Sequence, residues 1–592
     1  MKIKHFFGLA VIAAMTASCS SNEDLGTAGP GTGTNEAGVG YATFSINLPT
    51  TSGTRANDQF EEGTLSEYAV NDATLLIFKK AGTSENNYTF VETVPLGNLE
   101  PWKKDNTTGN GITTEATITA KLEGATVGEG SEGKGSDYYA LVILNNKDKD
   151  NKDKVSMPVS TTDTYGTWNA AATVKNLIDY KKGFYMANAP EFKATDQEPT
   201  TLVQIKGIYR TKEEAQSKPG TTIHVERGLA KVTVKSGPKN YFAEGGANVT
   251  GSNYSSDKVQ ITNWALDVTN KKSFPVHVTS GLKGGTTTSE GETVTGYPDI
   301  WKNEPGTAPA TSRFVSQLPA IGAFKRVYWG IDPNYSTDYT TPGECKGAFN
   351  ILGNAEITGN VANPLYCLEN TFDIEHMQQG QTTRVIFKAK YTPKDGLAET
   401  DGTFYTIGNM TTILKEADLR TTVDNAATSV LPGCTVDYTR FKTGGSRVIT
   451  LADVKYGTPS AVLEAETLYG TKKGTEIVKE INDKLGLKAG VGINTYFKGV
   501  TYYIARIKHF GNDLTPWAAG NETYGGKNLN WLGRYGVLRN NLYDLTINTI
   551  SGPGYPDVPE VKPTDPDDED TKYISVSVKI LDWAKHSDIL DL

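Results

Sequence analysis

Within this 592-residue chain the closest approach to a nucleotide-binding loop is GEGSEGKG, where Gly128, Gly133 and Lys134 match the first part of a phosphate cradle. Gly135 stands where a magnesium-binding Ser or Thr is needed, and a strand-like run follows where a helix must begin. The six histidines, His5, His224, His277, His376, His509 and His586, are scattered and form no HExxH pair. No GxSxG elbow presents a serine nucleophile. DPDDED lacks the glycine and distal glutamate of a calcium loop and reads as a solvated linker. Cys345, Cys367 and Cys434 match no zinc spacing. They read as buried thiols, with one disulfide among them left open. These residues point to no enzyme activity, cofactor or metal.

Covalent chemistry is invited instead at Cys19 and Arg55. MKIKHFFGLAVIAAMTASC has a basic start, an apolar run from Phe6 to Met15, and Ala17 and Ser18 before Cys19, as a bacterial lipoprotein signal does. The run is too short to cross a bilayer as a helix. SSNED behind Cys19 resembles a surface-export signal, and LGTAGPGTGTNEAG reads as a flexible tether. Arg55 lies in the loop TTSGTRAND, and the next arginine is Arg210. A lone arginine in a polar loop offers a trypsin-like protease one defined cut, between Arg55 and Ala56.

The elements around that loop give it meaning. Ala42, Phe44, Ile46 and Leu48 alternate with polar residues, the period of a half-buried strand, and Pro49 ends it. At the far end Ile574, Val576, Val578 and Ile580 alternate with Ser575, Ser577 and Lys579 behind a Pro/Asp-rich linker, predicting a second strand on a long leash. Between them DATLLIFKK, NNYTFVETV, DYYALVILNNK, QTTRVIFKAKY, TYYIARIKHF and NNLYDLTINTI read as strands. TWNAAATVKNLIDY and TEIVKEINDKLGL read as helices. A low hydrophobic fraction of 37% with 61 glycines and 29 tyrosines fits sheets that expose one face. The net charge of -9 forms no basic stripe, which argues against nucleic acid as a partner.

Cutting after Arg55 would free the first strand and open a groove of unpaired backbone groups. The C-terminal strand of a second copy has the alternation to fill it, with main-chain bonds for affinity and side-chain pockets for register. Burying four apolar residues contributes roughly 6–12 kcal/mol before ordering costs. Donor and groove lie on different surfaces, so the contact is heterologous and propagates into a filament.

With GTRAND, YALVILNN, VERGLAKVTV, YCLENT, VLRNNLYDLTI and the ending ISVSVKILDWAKHSDILDL in this order, the chain resembles the Mfa-type fimbrillins, shaft subunits of the type V fimbriae of Bacteroidales. The resemblance implies a mainly β fold of two transthyretin-like β-sandwich domains with a few short helices and a tethered donor strand. It implies transport to the outer membrane as a lipoprotein through Cys19, processing between Arg55 and Ala56 by an arginine-specific protease, and donor-strand polymerisation into extracellular, adhesive fimbriae. Implied partners are identical subunits, fimbrial anchor and tip subunits, that protease, and a host or bacterial surface ligand. The organisation expected is a signal peptide over 1–18, a propeptide with the first strand over 19–55, sandwich domains over 56–222 and 223–550, a linker over 551–571 and a donor strand over 572–592. A fimbrial tip adhesin and a surface glycan-binding lipoprotein, with Trp517 and Trp531 as platforms, stand as alternatives.

Overall fold

The structure is a computed structural model. It describes residues 39–48, 65–97, 99, 115–127, 137–171, 176–192, 198–280, 282, 286–289, 292–295, 301, 313–315, 325–373, 376–394, 396–511, 532–567 and 574–582. Among these the chain is mainly β. Apolar residues at alternate positions force strands to pair over a common core, and the first such set forms an eight-stranded sheet. Its strands are β1 (Gly40–Asn47), β2 (Ala73–Lys79), β3 (Thr89–Pro95), β4 (Glu115–Leu122), β5 (Tyr138–Leu144), β6 (Met186–Asn188), β7 (Val203–Gln204) and β8 (Thr221–Arg227). They run in the order β3-β2-β5-β6-β8-β1-β4, with β7 beside β5. The continuous apolar runs of β2 and β5 are buried along nearly their whole length, as strands covered on both faces must be.

Beyond residue 220 the chain forms two strands that belong to different sheets. Thr221–Arg227 ends the first sheet, and β9 (Leu229–Ser236) begins the second. Gly228 lies between them with its N–H on the Tyr185 carbonyl at 2.8 Å. The change of sheet therefore falls at Gly228 rather than before residue 223. Period alone could not place it, because both halves alternate in the same way.

The second sandwich stacks two four-stranded sheets. One holds β10 (Ala247–Asn248), β11 (Lys258–Asp267), β13 (Arg384–Thr392) and β14 (Val500–Arg506). The other runs in the order β12 (Leu365–Leu368), β9, β15 (Asn541–Ile550) and β16 (Ile574–Asp582). Trp264, Phe387, Tyr503, Tyr543, Leu545 and Ile547 are among the residues that fill the space between them.

An additional unit interrupts this domain. β13 and β14 pair directly, Lys390 facing Val500, yet 109 positions separate those two residues. The intervening chain folds on its own core of residues between Tyr405 and Ile493. It includes the helices Glu416–Val430 and Gly474–Lys484. The second places Ile477, Val478 and Ile481 inward, the stripe read from TEIVKEINDKLGL. The other expected helix, over TWNAAATVKNLIDY, occupies Tyr165–Ala171, and Asn176–Ile178 form a separate 3-10 turn.

Candidate functional site

β1 sits between β8, to which it runs parallel from Phe44–Thr221 to Asn47–His224, and β4, to which it runs antiparallel from Gly40–Leu122 to Asn47–Glu115. Its first turn of chain also pairs with Tyr209, N to O at 2.8 Å in both directions with Tyr41. Ala42, Phe44 and Ile46 are fully buried and Leu48 is 1% exposed, all within one core. These are the four residues whose alternation marked the strand. Gly40 continues the inward row. A Cβ there would meet Ile208 Cγ2 at 2.4 Å, so the row begins where only glycine fits.

The opposite face carries hydrogen bonds. Thr43 Oγ1 donates to the Ala215 carbonyl at 2.9 Å, in the helix Lys212–Ser217, and lies 2.9 Å from Thr119 Oγ1 on β4. Ser45 Oγ donates to Glu115 Oε1 at 2.7 Å. His224, opposite Asn47, is pushed down to about 4 by burial and is neutral at neutral pH.

Downstream of β1 the next described residues are Leu65–Glu67, a 3-10 turn at the seam between the sandwiches. Glu67 is buried. Its carboxylate lies 2.9 Å from Lys231 Nζ on β9 and accepts from Tyr366 OH on β12 at 2.6 Å. Arg227, at the end of β8, donates from Nε to the Glu67 carbonyl at 2.7 Å and from Nη1 to Asn540 Oδ1 at 3.3 Å. The side of the β1 slot and the head of β15 are thus joined through one buried polar network.

β16 pairs with β15 of its own chain. Ile574, Val576, Val578 and Ile580 take register positions opposite Ile550, Ile547, Leu545 and Tyr543, with a bulge between Ile547 and Thr549. Val576 and Val578 are half-buried against the second core. The expected leash is therefore a docked strand with one strand neighbour among the described residues, where β1 has two.

The linker is docked as well. Tyr555 exchanges backbone bonds with Tyr502 at 2.8 and 2.7 Å, and Arg384 Nη2 donates to the Pro559 carbonyl at 2.8 Å. Val561 is buried, and Arg506 pairs with Asp567, both nearly buried. Prolines and aspartates keep this segment out of the sheets, as expected. They do not keep it off the domain, because its carbonyls find side-chain donors.

Cys19, Arg55 and Ala56 lie outside the described residues, as do the GEGSEGKG loop, Trp517, Trp531, Trp583, His5 and His586. Cys345, Cys367 and Cys434 are free and buried. His277 is bonded to Glu226 at 2.8 Å, His376 to Asp373 at 2.5 Å, and His509 to Tyr543 OH at 2.8 Å. No group of three or more potential metal ligands is found among the described residues. The seam network escaped the sequence reading, since Glu67, Arg227, Lys231, Tyr366 and Asn540 come from distant segments that share no motif.

Comparison with curated proteins gives no match. Among solved structures the chain is similar to a fimbrilin (FimA) of Porphyromonas gingivalis W83, at 11% identity over 92% of this chain and 99% of that one, TM-score 0.35. It is similar also to the C-terminally truncated tip fimbrial protein Mfa3 of the same organism, at 10% identity over 92% of this chain and 100% of that one, TM-score 0.27. The profile of the family "Major fimbrial subunit protein type IV, Fimbrillin, C-terminal" matches residues 494–588. That span holds β14, β15, the docked linker and β16, so it is the C-terminal part of the chain that is similar to the fimbrillin family.

Proposed function

We propose that this chain is a fimbrillin, the structural shaft subunit of a cell-surface fimbria, exported as a lipoprotein through Cys19 and cut between Arg55 and Ala56 by an arginine-specific protease. It polymerises when β16 of one copy takes the place of β1 in the next. The filament bears anchor and tip subunits and adheres to a host or bacterial surface ligand. The role is mechanical rather than catalytic.

The observation that carries this reading is the asymmetry between the two strands. Among the described residues β1 lies between two partners with its apolar row buried, whereas β16 has one partner and half-buried valines. Moving β16 into the vacated slot adds a second ladder, at about 0.5–1.5 kcal/mol net per hydrogen bond, and completes its apolar burial. While β1 is covalently attached its effective concentration at the slot is very high, so a second copy cannot compete. Cleavage turns β1 into a separate fragment that dissociates. Proteolysis therefore supplies the trigger, and the second ladder supplies the direction.

Electron microscopy of the purified chain before and after arginine-specific cleavage tests the proposal. Filaments should follow cleavage of the natural chain and be absent from Arg55→Ala. Normal filaments from Arg55→Ala overturn the processing step.

A further inference from the structure

β4 stands at one end of the eight-stranded sheet and β3 at the other, and β1 is β4's only strand partner among the described residues. When β1 leaves, β4 loses its entire ladder. The slot is then bounded by a sheet on the β8 side and by an unpaired strand on the other.

Among the described residues the hydrogen bonds of its first half go to β1, and beyond it β4 packs on the helix Lys212–Ser217 and on β3. Its inward residues there are Ala116, Ile118 and Ala120, two small and one half-buried, and Glu115 is bonded to Ser45 of β1. Small side chains bury little area and anchor a strand weakly. The firm ties are at its C-terminal end. The Glu92 carboxylate on β3 accepts from the Glu123 and Gly124 backbone N–H groups, at 2.9 Å each, so a side chain closes the gap between the two ends of the sheet. A Cβ on Gly124 would meet Val91 Cγ1 at 2.9 Å, which shows how closely the two ends approach. Next to this, the Thr126 N–H donates to Tyr138 OH at 3.1 Å, and Leu122 and Ala125 are fully buried.

We infer that Glu92 is a positioning residue for strand exchange: it pins the C-terminal end of β4 after β1 departs, so that the slot keeps its second wall for an incoming strand. The inference rests on the exchange reading above. While β1 is in place its eight-residue ladder makes Glu92 nearly redundant. Once β1 is gone, Glu92 decides whether β4 waits in place or swings away.

The test uses the full chain, cut after Arg55 and freed of β1, with a synthetic peptide of residues 572–592 as probe. Glu92→Ala should slow peptide association at least tenfold and strip hydrogen-exchange protection from residues 115–124 in the cut chain, while leaving that protection unchanged before cleavage. Glu92→Gln, which keeps one carbonyl acceptor, should fall between, and it carries the test if the alanine variant does not fold. Association within twofold of the natural chain, or equal protection of 115–124 after the cut, overturns the role of Glu92. A natural cut chain that binds no peptide overturns the exchange reading instead. Exchange of 115–124 then still judges Glu92 alone.

Discussion

Phe44→Ala tests the energetics of the β1 slot most directly. The ring is fully buried in the first core, and truncating a buried phenylalanine costs about 3–5 kcal/mol through lost transfer energy and the cavity left behind. In the uncut chain that cost appears as lower global stability, readable from the denaturant midpoint. In the cut chain it acts on one fragment, since the Phe44 contacts are then intermolecular. At 1.36 kcal/mol per tenfold change, the fragment ending at Arg55 should leave about 10²–10⁴-fold faster than its natural counterpart. The assay cleaves both proteins with an arginine-specific protease and follows fragment loss by size-exclusion chromatography and mass spectrometry. Ser45→Ala is the control, because it removes a single hydrogen bond to Glu115 on the outward face. Filament nucleation should follow the same ranking if β1 release limits it. Fragment loss from Phe44→Ala within twofold of the natural chain would show that β1 is not held by its apolar row, and the slot argument would fail with it.

Two further outcomes follow from the buried charges. Glu67→Ala deprives Lys231 and Tyr366 of their shared carboxylate at the seam and should lower stability by about 3–5 kcal/mol, whereas Glu67→Met with Lys231→Met should lose markedly less; equal losses in denaturant unfolding would refute the pairing. His509 is pushed down to about 3 by burial, so it is neutral in the fold and takes up a proton only on unfolding near its ordinary value. Its contribution is complete above about pH 6.5 and declines as pH falls toward 3, by roughly 2 kcal/mol between pH 7 and 5. His509→Gln should flatten that part of the stability profile, and an unchanged slope would contradict the assignment.

The strands were largely legible because their period is written in the side chains. Ala42, Phe44, Ile46 and Leu48 predicted both the existence of β1 and its buried face, and Ile477, Val478 and Ile481 did the same for the helix Gly474–Lys484. The boundary at Gly228 was not legible, since β8 and β9 alternate alike and only their partners differ. The inserted unit between β13 and β14 was hidden for a related reason. A separate core is a matter of which residues meet, which their order along the chain does not show. The linker was read as free because prolines exclude it from ladders, yet single carbonyls and Asp567 still find Arg384 and Arg506.

By itself the sequence determined the two alternating strands, the inward residues of the first, and the lone arginine between that strand and the body of the chain. All of these are local, set by side-chain type and spacing along the backbone. Tertiary structure alone decided that β1 lies between β8 and β4 while β16 has one strand partner among the described residues, that β4 depends on β1 and Glu92, and that Glu67 binds the seam. Those facts depend on residues far apart in the chain arriving side by side. Strand order and buried pairing are set by the global balance of burial and hydrogen bonding, which no local pattern encodes.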